Sequence, residues 1–232
     1  MGKLVVLSGA GISAESGIRT FRDMGGLWED YDIMEVASPE GWEKNPRLVQ
    51  KFYNDRRRQL LECEPNRAHK VLVELEKYFD VEIITQNIDD LHERAGSKKV
   101  LHLHGELKKA QSSRYPDLVY DIEGWEIGED KRCEKGYPLR PHVVWFGEPV
   151  TAMEPAIEIT MQADIFVVAG TSLNVYPAAS LLDYVPGGTP VYLIDPQDVP
   201  YYGKEKVEII KEKAGKGTAI LFEKLTGKQV PF

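Results

Sequence analysis

Gly9-Ala10-Gly11-Ile12-Ser13-Ala14 follows the apolar run Leu4–Ser8 and fits the spacing G-x-G-x-x-A. Glycines at those places permit a tight turn and bring backbone N–H groups against a pyrophosphate at a helix N-terminus. The chemistry on offer is dinucleotide binding, with a glycine turn kept for packing alone as the alternative. Such a site also wants a carboxylate for ribose hydroxyls, about 20 residues on and after a strand. Glu29 and Asp30 have the distance but follow no strand. Asp195, closing the apolar run Val191–Ile194, is better placed. It would repel a 2′-phosphate and so favour NAD over NADP; a turn aspartate before Pro196 is the competing reading.

The five histidines are the candidates for proton transfer near neutral pH. His69 lies on a helix opened by Asn66 and reads as structural. His92 follows Asn87-Ile88-Asp89-Asp90 and reads as packing or capping. His142, after Pro141, reads as scaffolding. His102 and His104 alternate along one strand and face alike. Only His104 stands at the carboxyl end, before a glycine that leaves room for a ligand. It is the candidate base, against the alternative of a packed strand-end side chain.

The elements that must position these groups form an alternating pattern. Strands are expected at Leu4–Ser8, Val81–Thr85, Val100–Leu103, Val143–Phe146, Ile165–Ala169 and Val191–Ile194, each apolar on both faces as in a sheet covered by helices on both sides. Their carboxyl-end turns face the ligand crevice of such a fold. Helices are expected after Asn66, after a capping box of Thr151 and Glu154, after Pro177, and over Lys204–Lys213 with a stop at Gly215. The fold class is therefore α/β, a Rossmann-like doubly wound parallel sheet with a smaller inserted lobe. Residues 1–26, 66–107 and 141–232 are assigned to the sheet domain. Residues 27–65 (helical) and 108–140 (polar and irregular) are assigned to the lobe.

With 232 residues and a formal net charge of −8, the chain is a poor nucleic-acid binder. The basic cluster Arg56-Arg57-Arg58 is too short to reverse that. No apolar run long enough to span a membrane occurs. The N-terminus reads as a first strand rather than a leader, and Cys63 and Cys133 form no disulfide framework. A reducing cytoplasm is the expected location.

The motifs continue as Glu15-Ser16-Gly17-Ile18-Arg19-Thr20-Phe21-Arg22, Gly26-Leu27-Trp28, Thr85-Gln86-Asn87-Ile88-Asp89-Asp90-Leu91-His92 and Leu103-His104-Gly105. They are followed by Leu139-Arg140-Pro141-His142-Val143-Val144-Trp145-Phe146-Gly147-Glu148 and Gly170-Thr171-Ser172-Leu173-Asn174-Val175-Tyr176-Pro177. In order and spacing this resembles the sirtuins, the NAD-dependent protein lysine deacylases, over nearly the whole chain. The resemblance implies NAD as cofactor and acylated-lysine proteins as partners. Gly9, Ala10, Gly11, Phe21 and Arg22 would contact the cofactor from the glycine turn and a covering loop. Gln86, Asn87 and Asp89 would receive the nicotinamide carboxamide and a ribose, with Asn87 and Asp89 also catalytic. Gly170, Thr171, Ser172 and Asn174 would meet the phosphates and distal ribose, alongside Asp195. His104 matches the general base, and Val143, Phe146 and Gly147 match a groove where substrate peptide adds as a strand.

In sirtuin-like chemistry the acyl-lysine amide oxygen attacks the ribose as nicotinamide leaves, and a base then deprotonates a ribose hydroxyl; position and desolvation must help so poor a nucleophile. The products would be free lysine, nicotinamide and O-acyl-ADP-ribose. Tyr53-Asn54-Asp55-Arg56 resembles the Tyr-x-x-Arg pair of the subclass that removes succinyl, malonyl and glutaryl groups. Phenol and guanidinium would hold the distal carboxylate; a solvated basic face is the alternative. Acetyl groups are expected to be accepted as well. Most sirtuins carry two Cys-x-x-Cys pairs for a structural zinc in the segment matching residues 108–140. Here Cys133 is the one cysteine, so no zinc is expected. Tyr115, Leu118, Val119, Tyr120 and Trp125 would form a substitute core. Two rival readings are a noncatalytic NAD- or ADP-ribose-binding module and a protein ADP-ribosyltransferase. Oligomeric state is not encoded visibly.

Overall fold

A computed structural model of the chain describes residues 1–18, 27–28 (backbone), 31–171, 173, 176–197 and 207–232. The first half of the chain runs through β1 (Lys3–Ser8), α1 (Ala10–Ser13), β2 (Leu27–Trp28), β3 (Tyr31–Asp32), α2 (Ile33–Val36), α3 (Pro39–Lys44), α4 (Pro46–Glu62) and α5 (Arg67–Leu75). Next come β4 (Asp80–Thr85), α6 (Leu91–Ala95), β5 (Val100–His102), β6 (Gly105–Ser112), β7 (Val119–Asp121) and β8 (Leu139–Val143). The chain closes with α7 (Met153–Thr160), β9 (Ile165–Ala169), a 3-10 segment (Ala178–Tyr184), β10 (Val191–Ile194), β11 (Val207–Ile210) and α8 (Ala214–Thr226).

Six strands form one parallel sheet in the order β11-β10-β9-β1-β4-β5. Both faces of β1 are buried: Leu4 and Val6 pack with α5 and α8, whereas Val5 and Leu7 pack with α7 and the 3-10 segment. That is why the strand reads as an unbroken apolar run. From β1 the chain moves to β4 and β5 on one side, then crosses to β9, β10 and β11 on the other. The order reverses between β1 and β9, which places the binding crevice of an open α/β sheet at the carboxyl ends of those strands. A second, antiparallel sheet of order β7-β6-β8 stands beside it, against α4.

Four expectations are corrected. The strand expected at Val143–Phe146 ends at Val143 and runs antiparallel to β6; Val143 and Trp145 are apolar because they pack against Phe52 and Tyr53. Residues 108–140 are not wholly irregular, since β6, β7 and β8 draw strands from them. Within Lys204–Lys213, Val207–Ile210 is an edge strand paired with β10, and Gly215 lies in the first turn of α8 rather than at a helix end. β-branched residues explain the strand, and an edge position leaves Ile209 exposed. Finally, α7 starts after Ala152 with no side-chain cap, so Thr151 caps nothing. Asn66, by contrast, does cap α5, and His69 returns the bond from its ring.

Candidate active site

At the β1/β9 reversal the glycine turn is welded to the opposite strand: Gly9 N donates to Ala169 O at 3.1 Å and Gly11 N to Gly170 O at 2.8 Å. Gly170 has φ +65°, and a Cβ there would stand 2.2 Å from Ile12 N. No side chain fits between the two turns. Together they floor a cavity of about 620 Å³. Gly9, Ala10, Gly11, Gln86, Asn87, Asp89, His104, Gly170, Thr171 and Asp195 all line it, as do Tyr53, Val143, Phe146 and Gly147. The structure thus gathers most of the sequence-derived residues into one space. Phe21, Arg22, Ser172 and Asn174 lie outside the described residues.

Beneath the glycine turn, one serine joins two of these groups. Ser13 Oγ donates to Asp89 Oδ2 at 3.0 Å and accepts from Asn87 Nδ2 at 3.0 Å; the same amide reaches Gly9 O at 3.2 Å. Leu91 N donates to Asp89 Oδ1 at 3.2 Å. Burial raises the Asp89 carboxyl above its ordinary value, with these two donors opposing the rise. Ser13 was not singled out from the sequence. Its place two residues past the second glycine, on the first turn beneath the phosphate loop, was the available signal. Glu15, also missed, lines the cavity and accepts from Gly215 N at 2.7 Å, fastening the start of α8 to the site.

His104 is half-buried, and its Nδ1 meets Gln86 O at 2.9 Å. A carbonyl only accepts, so Nδ1 carries the proton and Nε2 is left as the basic nitrogen. Burial lowers its pKa, opposed by the bond to Gln86. Gln86 in turn donates from Nε2 to Thr171 Oγ1 at 3.1 Å, joining the ends of β4 and β9. Gly105 does not leave room for a ligand as expected: it has φ +80°, and a Cβ would stand 2.2 Å from His142 O. The glycine serves the β6–β8 approach.

The other histidines divide by partner. His102 bonds Asn87 O at 2.8 Å and Glu93 Oε1 at 2.8 Å, locking the loop after β4. His69 and His92 are buried with ring centroids 4.9 Å apart. His142 packs against Gln111. Asp195 Oδ1 accepts from Gln197 N at 2.9 Å in a turn, and the residue lines the cavity.

Tyr53 and Arg56 sit one turn apart on α4, but they stand differently. Tyr53 is fully buried in the cavity wall and accepts from Trp145 Nε1 at 3.1 Å. Burial holds its phenol well above the ordinary value. Arg56 is not among the described lining residues; its guanidinium lies 3.2 Å over the Phe52 ring, with Nη1 donating to Phe52 O at 2.9 Å.

A zinc site does not fit the segment 108–140. Among the described residues no three His, Cys, Asp or Glu side chains converge as metal ligands. The substitute core expected there is corrected too: Tyr115, Val119 and Trp125 are exposed. Besides the apolar packing of Phe52 and Tyr53 on Leu107 and Val143, polar bonds tie this region to α4. Gln50 Nε2 donates to Leu139 O, Asn54 pairs with both Ile127 N and Ile127 O, and Arg57 donates to Leu107 O and Trp125 O.

Comparison with known proteins agrees with this geometry. Residues 9–177 match the Sir2 family. A protein of Bacteroides thetaiotaomicron named NAD-dependent protein deacylase is 54% identical over 222 residues, 94% of this chain and 95% of that protein. One of Helicobacter pylori with the same name is 53% identical over 229 residues, 97% of this chain and 98% of that protein. Among solved structures, a Sir2 homolog–NAD complex superposes with a TM-score of 0.86 at 39% identity, covering 97% of this chain and 90% of the other.

Proposed function

This chain belongs to the Sir2 family, and from that premise we propose that it is an NAD-dependent protein lysine deacylase, with a preference for acidic acyl groups such as succinyl and malonyl. The observation that carries the reaction is His104. An imidazole with its proton committed to Gln86 O and its basic nitrogen spare stands in the same cavity as the glycine turn. Such a group can take a proton from a sugar hydroxyl at neutral pH, a contribution of roughly a hundredfold or more.

The cavity fits a dinucleotide: close-approach glycines at the β1/β9 reversal keep its floor clear of side chains where a pyrophosphate would lie, and Asp195 suits a ribose. When bound, NAD supplies a ribosyl carbon with a ready leaving group. The chain's own part is orientation and proton transfer. Asn87 and Asp89, braced by Ser13, line the same cavity as His104. Val143 and Phe146 give the cavity an apolar wall against which the stem of an incoming lysine would lie.

Support for the acidic acyl preference is a phenol in the cavity wall and a buried guanidinium one turn later on α4, close enough that the cation opposes the rise that burial gives the Tyr53 pKa. A carboxylate would offer that guanidinium a charge-assisted, two-pronged partner, stronger than a backbone carbonyl such as Phe52 O.

Mass spectrometry of the products from NAD and a succinyl-lysine peptide tests the reading. Nicotinamide, free lysine and O-succinyl-ADP-ribose are expected. His104→Ala should lose about a hundredfold or more in turnover while still binding NAD. ADP-ribose attached to the peptide would make the protein a transferase of that group, and no turnover at all would leave a binding module. Arg56→Met should lower the succinyl-to-acetyl ratio of kcat/KM by about tenfold; equal loss on both peptides refutes the acyl pocket.

A further inference from the structure

Three consecutive carbonyls of the loop after β4 are each held by β5, β6 or the turn between them. Gln86 O accepts from His104 Nδ1 at 2.9 Å, Asn87 O from His102 Nδ1 at 2.8 Å, and Ile88 O from Leu107 N at 2.7 Å. The loop fixed in this way brings Asn87 and Asp89 to the cavity that His104 lines. Its two histidines differ in one respect: the second nitrogen of His102 also faces an acceptor, Glu93 Oε1 on α6, at 2.8 Å. A backbone carbonyl cannot donate, and neither can an ionised carboxylate, so each nitrogen of this ring must supply a proton. The Glu93 side chain is 40% exposed, and contact with water favours its ionised form, whereas the ring it holds is only 8% exposed.

We propose that His102 is a positioning residue that works as a cation: doubly protonated between Asn87 O and Glu93, it fixes the loop bearing Asn87 and Asp89, and release of one of its protons limits the reaction in alkali. This inference rests on the deacylase reading above. Burial opposes the charge, but Glu93 and the Asn87 carbonyl outweigh it and hold the ring's pKa above its ordinary value. Burial likewise raises the Glu93 carboxyl, and the bond from His102 brings it below its ordinary value. The other titratable groups facing this ring are Asp89 on the loop, Glu106 on β6 with its partner Lys109, His92 on α6 and His142 on β8. Of the ring's two bonds, the one to the carboxylate carries charge on both sides and is the stronger. When the ring becomes neutral, its last proton therefore stays on Nε2, and Asn87 O is the acceptor that loses its donor.

Nitrogen-15 spectra of the histidine rings in the cofactor-free protein, at neutral pH, test the charge directly. His102, assigned by its loss in His102→Asn, should show two protonated ring nitrogens; a single one overturns the proposal whatever the activity. In turnover with NAD and an acyl-lysine peptide, kcat/KM of the unsubstituted chain should fall on the alkaline side of the ordinary histidine value of about 6.5. His102→Leu deletes the donor to Asn87 O and should lose about tenfold at neutral pH. His102→Asn, whose amide nitrogen stands in for Nδ1, should regain most of that loss and show no alkaline fall. Glu93→Gln offers an amide N–H to Nε2, so a neutral ring keeps its proton on Nδ1; this variant should lose less than His102→Leu and also show no alkaline fall. A merely structural side chain would depress the rate at every pH and leave the fall in place. An alkaline fall retained in His102→Asn or Glu93→Gln overturns the proposal. Absence of turnover in the unsubstituted chain would instead sink the deacylase reading, and the rate consequence with it, while the ring spectra still decide the charge.

Discussion

At the scale of single residues, the site is a set of donors and acceptors whose roles are fixed by what each partner can do. Gln86 O forces the His104 tautomer, and burial lowers the pKa of that ring. A base with a lowered pKa stays unprotonated further into acid. The acid limb of kcat/KM should therefore turn below the ordinary histidine value of about 6.5; an inflection above 7 would mean that another group limits the rate. Ser13 gives a second prediction. Ser13→Ala leaves Asn87 and Asp89 without their bridge, in a buried spot where each lost bond costs about 1–3 kcal/mol. A loss in kcat/KM for NAD of at least about tenfold should follow, with the fold retained by circular dichroism. A change below twofold would remove Ser13 from the site. Sequence alone made His104 a candidate, because a strand-end histidine is visible in spacing. Ser13 stayed hidden, since a serine beside a glycine turn has many ordinary uses.

Among elements, α4 contains a face that the sequence left unread. Gln50, Asn54 and Arg57 recur four and three residues apart, so they form one polar stripe. Sequence alone assigned Gln50 and Asn54 no role, and it set Arg57 in a solvated basic face only as the alternative to an acyl pocket. In the structure the stripe is turned inward, and Arg57 is fully buried. Its Nε donates to Leu107 O at 2.6 Å, and its Nη1 to Asn54 Oδ1 at 2.5 Å and Trp125 O at 2.6 Å. Burial pulls its pKa down to about 10, so it remains a cation at neutral pH. A single charge thus organises oxygen atoms from α4, β6 and the strand-free segment around Trp125. Hydrophobic periodicity cannot announce such a device, because its partners are backbone carbonyls far away in sequence. Arg57→Met would strand those carbonyls, at a cost of about 3 kcal/mol. For a chain of this size that is a fall in Tm of about 9 °C. Arg57→Lys keeps the charge without the fork and should recover less than half of the loss. Full recovery by lysine would show that charge alone suffices.

Across the whole molecule, legibility followed how completely a strand is buried. β1, β4, β9 and β10 lie inside a sheet covered on both faces and announce themselves as apolar runs. β11, at the edge with Glu208 and Ile209 exposed, mimicked an amphipathic helix, and the antiparallel sheet mimicked loop. The same covering that makes the core legible also encloses two histidines directly under the crevice. His92 bonds Ser8 Oγ at 3.0 Å at the end of β1, and His69 Nδ1 accepts from Asn66 N, the cap of α5. Asn66 also holds Ile12 O and Ser16 Oγ, so the pair sits in the foundation of the glycine turn. Both rings must be neutral to stay there: burial pulls His69 down to about 4 and His92 well below its ordinary value. With the folded pKa of His69 below the unfolded one of about 6.5, the unfolded chain binds the extra proton between those values. Stability from this group is therefore untouched above pH 6.5, declines as pH falls through the window, and is lower by about 3 kcal/mol at pH 4. Carboxylates titrate there as well, so the comparison must be with His69→Gln. Urea unfolding from pH 7.5 to 4 should give a shallower decline for that variant, the two curves approaching in acid. Parallel curves would mean that the buried ring is not what makes the glycine turn sensitive to acid.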